Sequence, residues 1–203
     1  MNEPTPHVPA CALLPRRRVL HAGAAALLAA APFYAQADEG VAARLREGGV
    51  VLALRHALAP GTFDPPGFRL GDCTTQRNLN DEGRAQALRL GQWAKARQLL
   101  PTRVRSSPWC RCMETAQGAF GQAEAWDALA SPARADSALR EQRLAVLRTA
   151  LRAVPSGRFE AWVTHQFVLQ DLAGVSTASA EALLLAPGKD DSAVVVLDRA
   201  TLY

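Results

Sequence analysis

The chain has 203 residues, of which 49% are hydrophobic and 21% charged, and it carries a formal net charge of +4. That composition excludes collagen-like, disordered and coiled-coil classes. The length favours one compact domain over two full-sized ones.

The N-terminal segment does not read as part of the fold. Arg16, Arg17 and Arg18 precede Val19, Leu20 and an Ala/Leu-rich run ending near Pro32. Ala35-Gln36-Ala37 then offers a small-x-small cleavage site ahead of Asp38 and Glu39. A charged start, a short apolar run and such a site, in that order, predict a secretory leader over residues 1–37. Arg16-Arg17 ahead of Val19-Leu20 resembles a twin-arginine export signal. The apolar run, about 15 residues with His21 inside it, falls short of the roughly 20 a spanning helix needs. Residues 38–203 hold 20 basic and 18 acidic side chains with no Lys/Arg run. Neither a nucleic-acid footprint nor a polybasic membrane patch is present, so a periplasmic domain without a membrane span is expected. Cys73, Cys110 and Cys112 remain after the leader, which allows one internal bridge and leaves one thiol over.

In chain order, Gly49–Leu54 is a continuous apolar run, as a strand buried on both faces shows. Residues 57–79 form a long polar, Pro/Gly-rich stretch whose Phe63, Phe68 and Cys73 suggest a packed lid. Asn80 reads as an N-cap with Asp81 and Glu82 in the first turn of a helix running to about Gln98, its buried stripe being Ala87, Leu90, Gly91 and Ala94. Val104–Ser107 is a second strand, Trp109–Phe120 a helix and Glu124–Leu129 a third strand. Leu144, Leu147, Leu151 and Val154 mark another helix. Ala161–Thr164 is a fourth strand, and Ala182–Leu185 and Val194–Leu197 are the last two. This alternation predicts an α/β three-layer sandwich around a mostly parallel central sheet. The four tryptophans, Trp93, Trp109, Trp126 and Trp162, are spread over these elements and read as core or pocket wall.

After the leader only two histidines remain, His56 and His165, and each ends a predicted strand. Ligands of open α/β sheets bind outside the carboxyl ends of strands. Arg55 precedes His56. Arg111 falls in the first turn of the helix that follows the second strand, where backbone N–H groups already favour an anion. Guanidinium forks match phosphate oxygens, so two histidines and two arginines at one sheet edge suggest a phosphate pocket.

Leu54-Arg55-His56-Ala57, Asn78-Leu79-Asn80-Asp81-Glu82-Gly83-Arg84-Ala85-Gln86-Ala87, Ser106-Ser107-Pro108-Trp109-Cys110-Arg111-Cys112-Met113-Glu114-Thr115-Ala116 and Val163-Thr164-His165 together resemble the histidine phosphatase superfamily, the phosphoglycerate-mutase-like group. The resemblance spans nearly all of residues 49–200. It is nearest to small exported members, including lipopolysaccharide core heptose-phosphate phosphatases. It implies a metal-independent phosphomonoesterase with no cofactor, acting on a sugar phosphate or a lipopolysaccharide core phosphate. A phosphomutase and a catalytically silent phospho-ligand binder are the alternatives.

In that chemistry His56 is the nucleophile, Arg55 and Arg111 bind non-bridging oxygens, and His165 holds another. Gln76, Arg77 and Ser107 are candidate substrate contacts. Two departures stand out: Ala57 replaces the family's usual glycine, and no acidic residue lies in the motif that supplies the mutase branch with its proton donor. Glu141 and Asp136 are the first candidates for that role, with Asp64 and Asp72 in the lid behind them. Cys110-x-Cys112 has neither a second cysteine pair nor a following histidine, so a structural role is expected. A bridge from Cys73 to Cys110 or to Cys112 would pin the lid beside Arg111.

Overall fold

A computed structural model describes Met1 and residues 31–202. Most of the expected leader lies outside the described residues. From Ala31 the chain forms α1 (Ala31–Glu47), β1 (Val50–Arg55), α2 (Asp81–Ala96), β2 (Arg103–Ser106), α3 (Cys110–Phe120), β3 (Glu124–Ala125), α4 (Ser137–Arg152), β4 (Phe159–Thr164), α5 (Gln166–Ala173), β5 (Ala182–Pro187) and β6 (Val194–Ala200), with short 3-10 turns between some of them. No helix among the described residues is long and apolar enough to cross a membrane.

The sheet order is β3-β2-β4-β1-β5-β6. β1 to β4 run parallel, and β5 alone is reversed, antiparallel to both β1 and β6. The apolar run of β1 has the two-faced burial expected of it. Leu52 and Leu54 join Val41 and Leu45 of α1, Leu90 and Trp93 of α2 and Ala116 of α3. Val51 and Ala53 join Leu147 and Leu151 of α4 and Val168, Leu169 and Leu172 of α5. Helices therefore cover both faces, and the fold is the three-layer α/β sandwich.

α2 starts as its sequence predicts: the Asn80 side chain accepts from Gly83 N–H at 2.8 Å. It crosses α3 at close range. A methyl on Gly91 would stand 2.4 Å from the carbonyl oxygen of Ala119, and one on Gly118 would stand 3.0 Å from the Ala87 methyl.

Three expectations need correction. The strand expected over Glu124–Leu129 pairs only at Glu124 and Ala125, and Asp127–Leu129 is a 3-10 turn. Ala128 and Leu129 both join the core on the same side of the sheet, which the side-to-side alternation of a strand cannot deliver. α1 and α5 were not foreseen. α5 is eight residues long and follows His165, whose side chain makes no cap bond, so it lacks an N-terminal signal. In the lid, Phe68 stacks on Trp109 with ring centroids 5.3 Å apart, but Phe63 is 78% exposed.

The α2–α3 crossing yields a prediction in which two effects oppose each other. Gly91→Ala gains about 1 kcal/mol of helix propensity, but overpacking against an immovable backbone costs about 1–3 kcal/mol. We expect net destabilisation, read as a lower urea midpoint with an unchanged m-value. A raised midpoint would show that the helices separate at little cost.

Candidate active site

β4 lies between β2 and β1, and register pairs Arg55 with Thr164 and Ser106 with Val163. The three strands therefore end level. The ladder continues one step beyond them: His56 N–H donates to Thr164 O at 2.9 Å, and Ser107 N–H donates to Val163 O at 2.8 Å. This delivers His56, His165 and Ser107 to one edge, with the imidazole centroids 5.6 Å apart at 70°. α3 begins after a short turn, and its second residue, Arg111, is only 4% exposed. A cavity of about 300 Å³ is lined by Arg55, His56, Asp64, Arg77, Arg111 and His165, with Phe63 and Phe167 also on its wall.

The two imidazoles are oriented differently. His56 Nδ1 lies 2.8 Å from its neighbour's carbonyl oxygen, Ala57 O. A carbonyl can only accept, so Nδ1 carries the proton and Nε2 keeps its lone pair. His165 Nε2 lies 2.8 Å from Ser107 Oγ, and its Nδ1 lies 3.4 Å from Arg111 Nη2. Burial is the main cause that lowers the His56 pKa to about 3. The Ala57 bond opposes that shift, and the charges of Arg111, Arg77 and Arg55 add to it. Burial and then the Arg111 charge push His165 well below the ordinary imidazole range. Both rings are neutral at physiological pH.

The arginines surround them. Arg55 Nη1 donates to Thr177 O at 2.8 Å, and an Arg77 Nη donates to Ala59 O. Arg111 forks onto Asp64 with contacts of 2.7 and 3.4 Å. Asp64 also accepts from Trp109 Nε1 and from Arg77 N–H, each at 3.1 Å. Burial would raise the Asp64 carboxyl, but the hydrogen bonds from Arg77 and Arg111 outweigh it and hold it below the usual carboxylate range. The Nε atoms of Arg55, Arg77 and Arg111 are all buried without a hydrogen-bond partner. Three such donors around one cavity are an incomplete set in a protein interior.

The other candidates divide. Arg77 lines the cavity. Ser107 is fully buried and holds His165, not substrate. Gln76 is a brace: its Oε1 accepts from Cys110 N–H at 3.0 Å and its Nε2 donates to Arg69 O at 3.1 Å. Glu141 is corrected. It sits on the exposed side of α4, paired with Arg148 at 2.7 Å, and does not line the cavity. Asp136 caps α4, and Asp72 caps the 3-10 turn at Cys73–Thr75. Their chain positions give these acids local partners before the pocket can claim them.

Thr115 and Thr177 were not singled out as site residues. Thr115 Oγ1 accepts from Ala57 N–H at 3.0 Å and donates to Arg111 O at 2.7 Å, tying β1 to α3. The available signal is a helical threonine whose hydroxyl can bond back to the carbonyl four residues earlier. The Ala57 methyl packs with Ala59, Leu79 and Ala180 and leaves the cavity unobstructed. Among the described residues no group of three or more His, Cys, Asp or Glu side chains could hold a metal ion.

The model of the histidine phosphatase superfamily (branch 1) matches residues 69–180. The chain belongs to the histidine phosphatase superfamily. The matched residues carry Arg77, Arg111 and His165, and the β1–β4 pairing brings Arg55 and His56 beside them. The superfamily fold is also seen in three solved structures. One is the protein histidine phosphatase SixA complexed with tungstate, at 17% identity over 74% of this chain and 95% of that one, TM-score 0.50. Another is the product of an open reading frame of Mycobacterium tuberculosis, at 18% identity over 73% and 96%, TM-score 0.52. The third is a mycobacterial glucosyl-3-phosphoglycerate phosphatase complexed with VO3, at 14% identity over 68% and 92%, TM-score 0.50. At these identities the likeness is one of fold. No curated protein matches the chain in sequence. Membership in the histidine phosphatase superfamily and the geometry of the site together support phosphatase activity.

Cys73 and Cys110 form a disulfide, with Cα atoms 5.7 Å apart and a sequence separation of 37, and Cys112 is a buried free thiol. Burial pushes that thiol up to about 12. Non-reducing peptide mapping should return the Cys73–Cys110 pair. Cys112 should resist a polar alkylating reagent until the protein is unfolded. Cys73→Ala should cost about 4 kcal/mol in the chain-entropy account of a loop this long. Rapid labelling of Cys112 in the native state would contradict its burial.

The neutral histidines set a pH dependence. Unfolded imidazoles titrate near 6.5, whereas His56 titrates at about 3 in the fold. Between those values the unfolded chain binds more protons, so stability rises with pH there and is lost as pH falls below about 6.5. The slope is at most about 1.4 kcal/mol per unit for each such histidine. Urea midpoints should fall between about pH 6.5 and pH 5, and a His56→Gln variant should show a smaller fall. Equal falls in the two proteins would mean that His56 is not held neutral.

Proposed function

We propose that the protein is an exported, metal-independent phosphomonoesterase that works through a phosphohistidine on His56. The carrying observation is the free Nε2 of a neutral, buried His56 at a cavity lined by three guanidinium side chains, Arg55, Arg77 and Arg111. A phosphate ester seated there places its phosphorus before Nε2. The lone pair of Nε2 forms the P–N bond as the P–O bond to the leaving group breaks, and that electron pair goes to the leaving oxygen. Ala57 O holds the Nδ1–H and so stabilises the positive charge that develops on the ring. The arginines neutralise the equatorial oxygens, and His165, fixed through Nε2 by Ser107, accepts from Arg111 at Nδ1 and so helps aim that guanidinium at the phosphate. Water then attacks phosphorus, the P–N bond breaks, and its electron pair returns to Nε2.

Asp64, the cavity's carboxylate, takes the role first expected of Glu141. A bound dianion draws Arg111 away from it and faces it with like charge, which raises its affinity for a proton. It passes that proton to the leaving oxygen and recovers one from the attacking water. The arginines supply the positive charge that a metal ion supplies elsewhere. The Cys73–Cys110 disulfide supports export, because such bonds persist in oxidising compartments.

Hydrolysis of p-nitrophenyl phosphate should survive EDTA and vanish in His56→Ala. Arg111→Ala should lose about 10²–10³ in kcat, as for the loss of one oxyanion-hole donor. Arg111→Lys should recover only part, because an ammonium lacks the fork. Asp64→Asn should slow alkyl phosphates more than the aryl ester, whose leaving group needs no proton. Full activity in His56→Ala, or loss in EDTA restored by added metal, would reject the reading.

A further inference from the structure

Two aromatic side chains are exposed among the described residues whose burial is known, Phe63 at 78% and Phe167 at 55%, and both line the cavity over His56. The remaining described aromatics are buried or partly buried. Phe68, in the same lid as Phe63, stacks on Trp109. Exposed aliphatic side chains such as Leu88, Leu100 and Val195 lie off the cavity wall, so among the exposed large apolar side chains it is the two rings that meet the pocket.

Both rings stand on backbone that the site itself fixes. Phe63 directly precedes Asp64, whose carboxylate is held by Arg111, Trp109 and the Arg77 N–H. Phe167 lies in the first turn of α5, two residues after His165, where Val168 N–H donates to His165 O at 3.1 Å. A ligand meeting these rings meets them in register with the phosphate floor. Three guanidinium groups against one carboxylate make the cavity positive, so a cationic partner for the rings is disfavoured. An uncharged flat face is what they suit. The volume, about 300 Å³, is at the small end of ligand pockets, enough for a phosphate and one ring beside it.

We infer that Phe63 and Phe167 are specificity residues that select phosphate esters whose leaving group presents a flat ring face next to the phosphate, either an aromatic ring or the C–H face of a cyclic sugar. This rests on the proposed phosphatase reading, because it takes His56 and the arginines as the phosphate end of the cavity. Phosphate occupies the floor, and the esterified group extends toward the mouth between its two aromatic walls.

The test compares wild type, Phe63→Ala, Phe167→Ala and the double variant on phenyl phosphate, glucose 6-phosphate and glycerol 3-phosphate. A parallel calorimetric series measures binding of the same three esters and of inorganic phosphate to His56→Ala proteins carrying the same substitutions, so the answer does not depend on turnover. The inference predicts that removing the rings weakens binding and raises KM for one or both ring esters about ten- to hundredfold, the range of discrimination an apolar contact provides. Glycerol 3-phosphate and inorganic phosphate should change less than about twofold. A preference lost only for phenyl phosphate assigns an aromatic leaving group, and one lost only for glucose 6-phosphate assigns a sugar. An equal effect on all four ligands, no effect on either ring ester, or no binding of a ring ester to the His56→Ala protein overturns the inference. Ring-dependent binding without hydrolysis by the wild type would sink the phosphatase reading and leave the aromatic clamp standing.

Discussion

The fold around the cavity is organised by one buried cation. Arg111 is 4% exposed, and a guanidinium taken that far from water must be paired, because an uncompensated buried charge costs several kcal/mol. Asp64 is its partner, and Asp64 belongs to the lid. The long connection between β1 and α2 is therefore folded over the sheet edge by an electrostatic requirement of α3. The Cys73–Cys110 disulfide and the Gln76 brace to Cys110 N–H fix the same two segments a few residues away. The same charge acts on the histidines, adding to burial in keeping His165 and His56 neutral. One residue thus links the position of the lid, the protonation state of His56 and the arginine lining of the cavity.

That arrangement contains a conflict on which its chemistry turns. Asp64 occupies the face of Arg111 that a phosphate oxygen would take. A dianionic ligand must displace or share that fork, and the displaced carboxylate is left beside negative charge. The pocket carboxylate is thus held ionised at rest, and in the proposed mechanism it would become more basic when a dianionic ester arrives. A carboxylate on a rigid helix face, such as Glu141 with Arg148, would not respond to the ligand in this way.

The parts of this legible in the sequence were those set by short-range rules. The apolar run of β1, the Asn80 cap and the strand-end positions of His56 and His165 each follow from local pattern, and the structure places them as read. Arg111 was legible because a strand followed at once by a helix fixes which residue enters the first turn. Glu141 was misread because an acid on a helix is indistinguishable in sequence from an acid in a pocket. Its i+7 partner, Arg148, lies on the same face but does not announce itself. Asp64 is not legible as the partner of Arg111, since their meeting depends on the path of a lid with little regular structure. The end of β3 was also out of reach, because Ala128 and Leu129 turn inward to fill the second core, a tertiary demand their residue types do not reveal. Phe63 was expected inside for its apolar side chain, and its exposure at the pocket became informative only beside Phe167.

The central claim is that His56 Nε2 carries the phosphoryl group. Its most direct test is rapid-quench trapping with a radiolabelled aryl phosphate, followed by peptide mapping of the labelled protein. The account predicts acid-labile, base-stable label on the peptide containing His56, up to one equivalent per chain, and none in His56→Ala. Stoichiometric label on His165, on a serine or on Cys112 would contradict it.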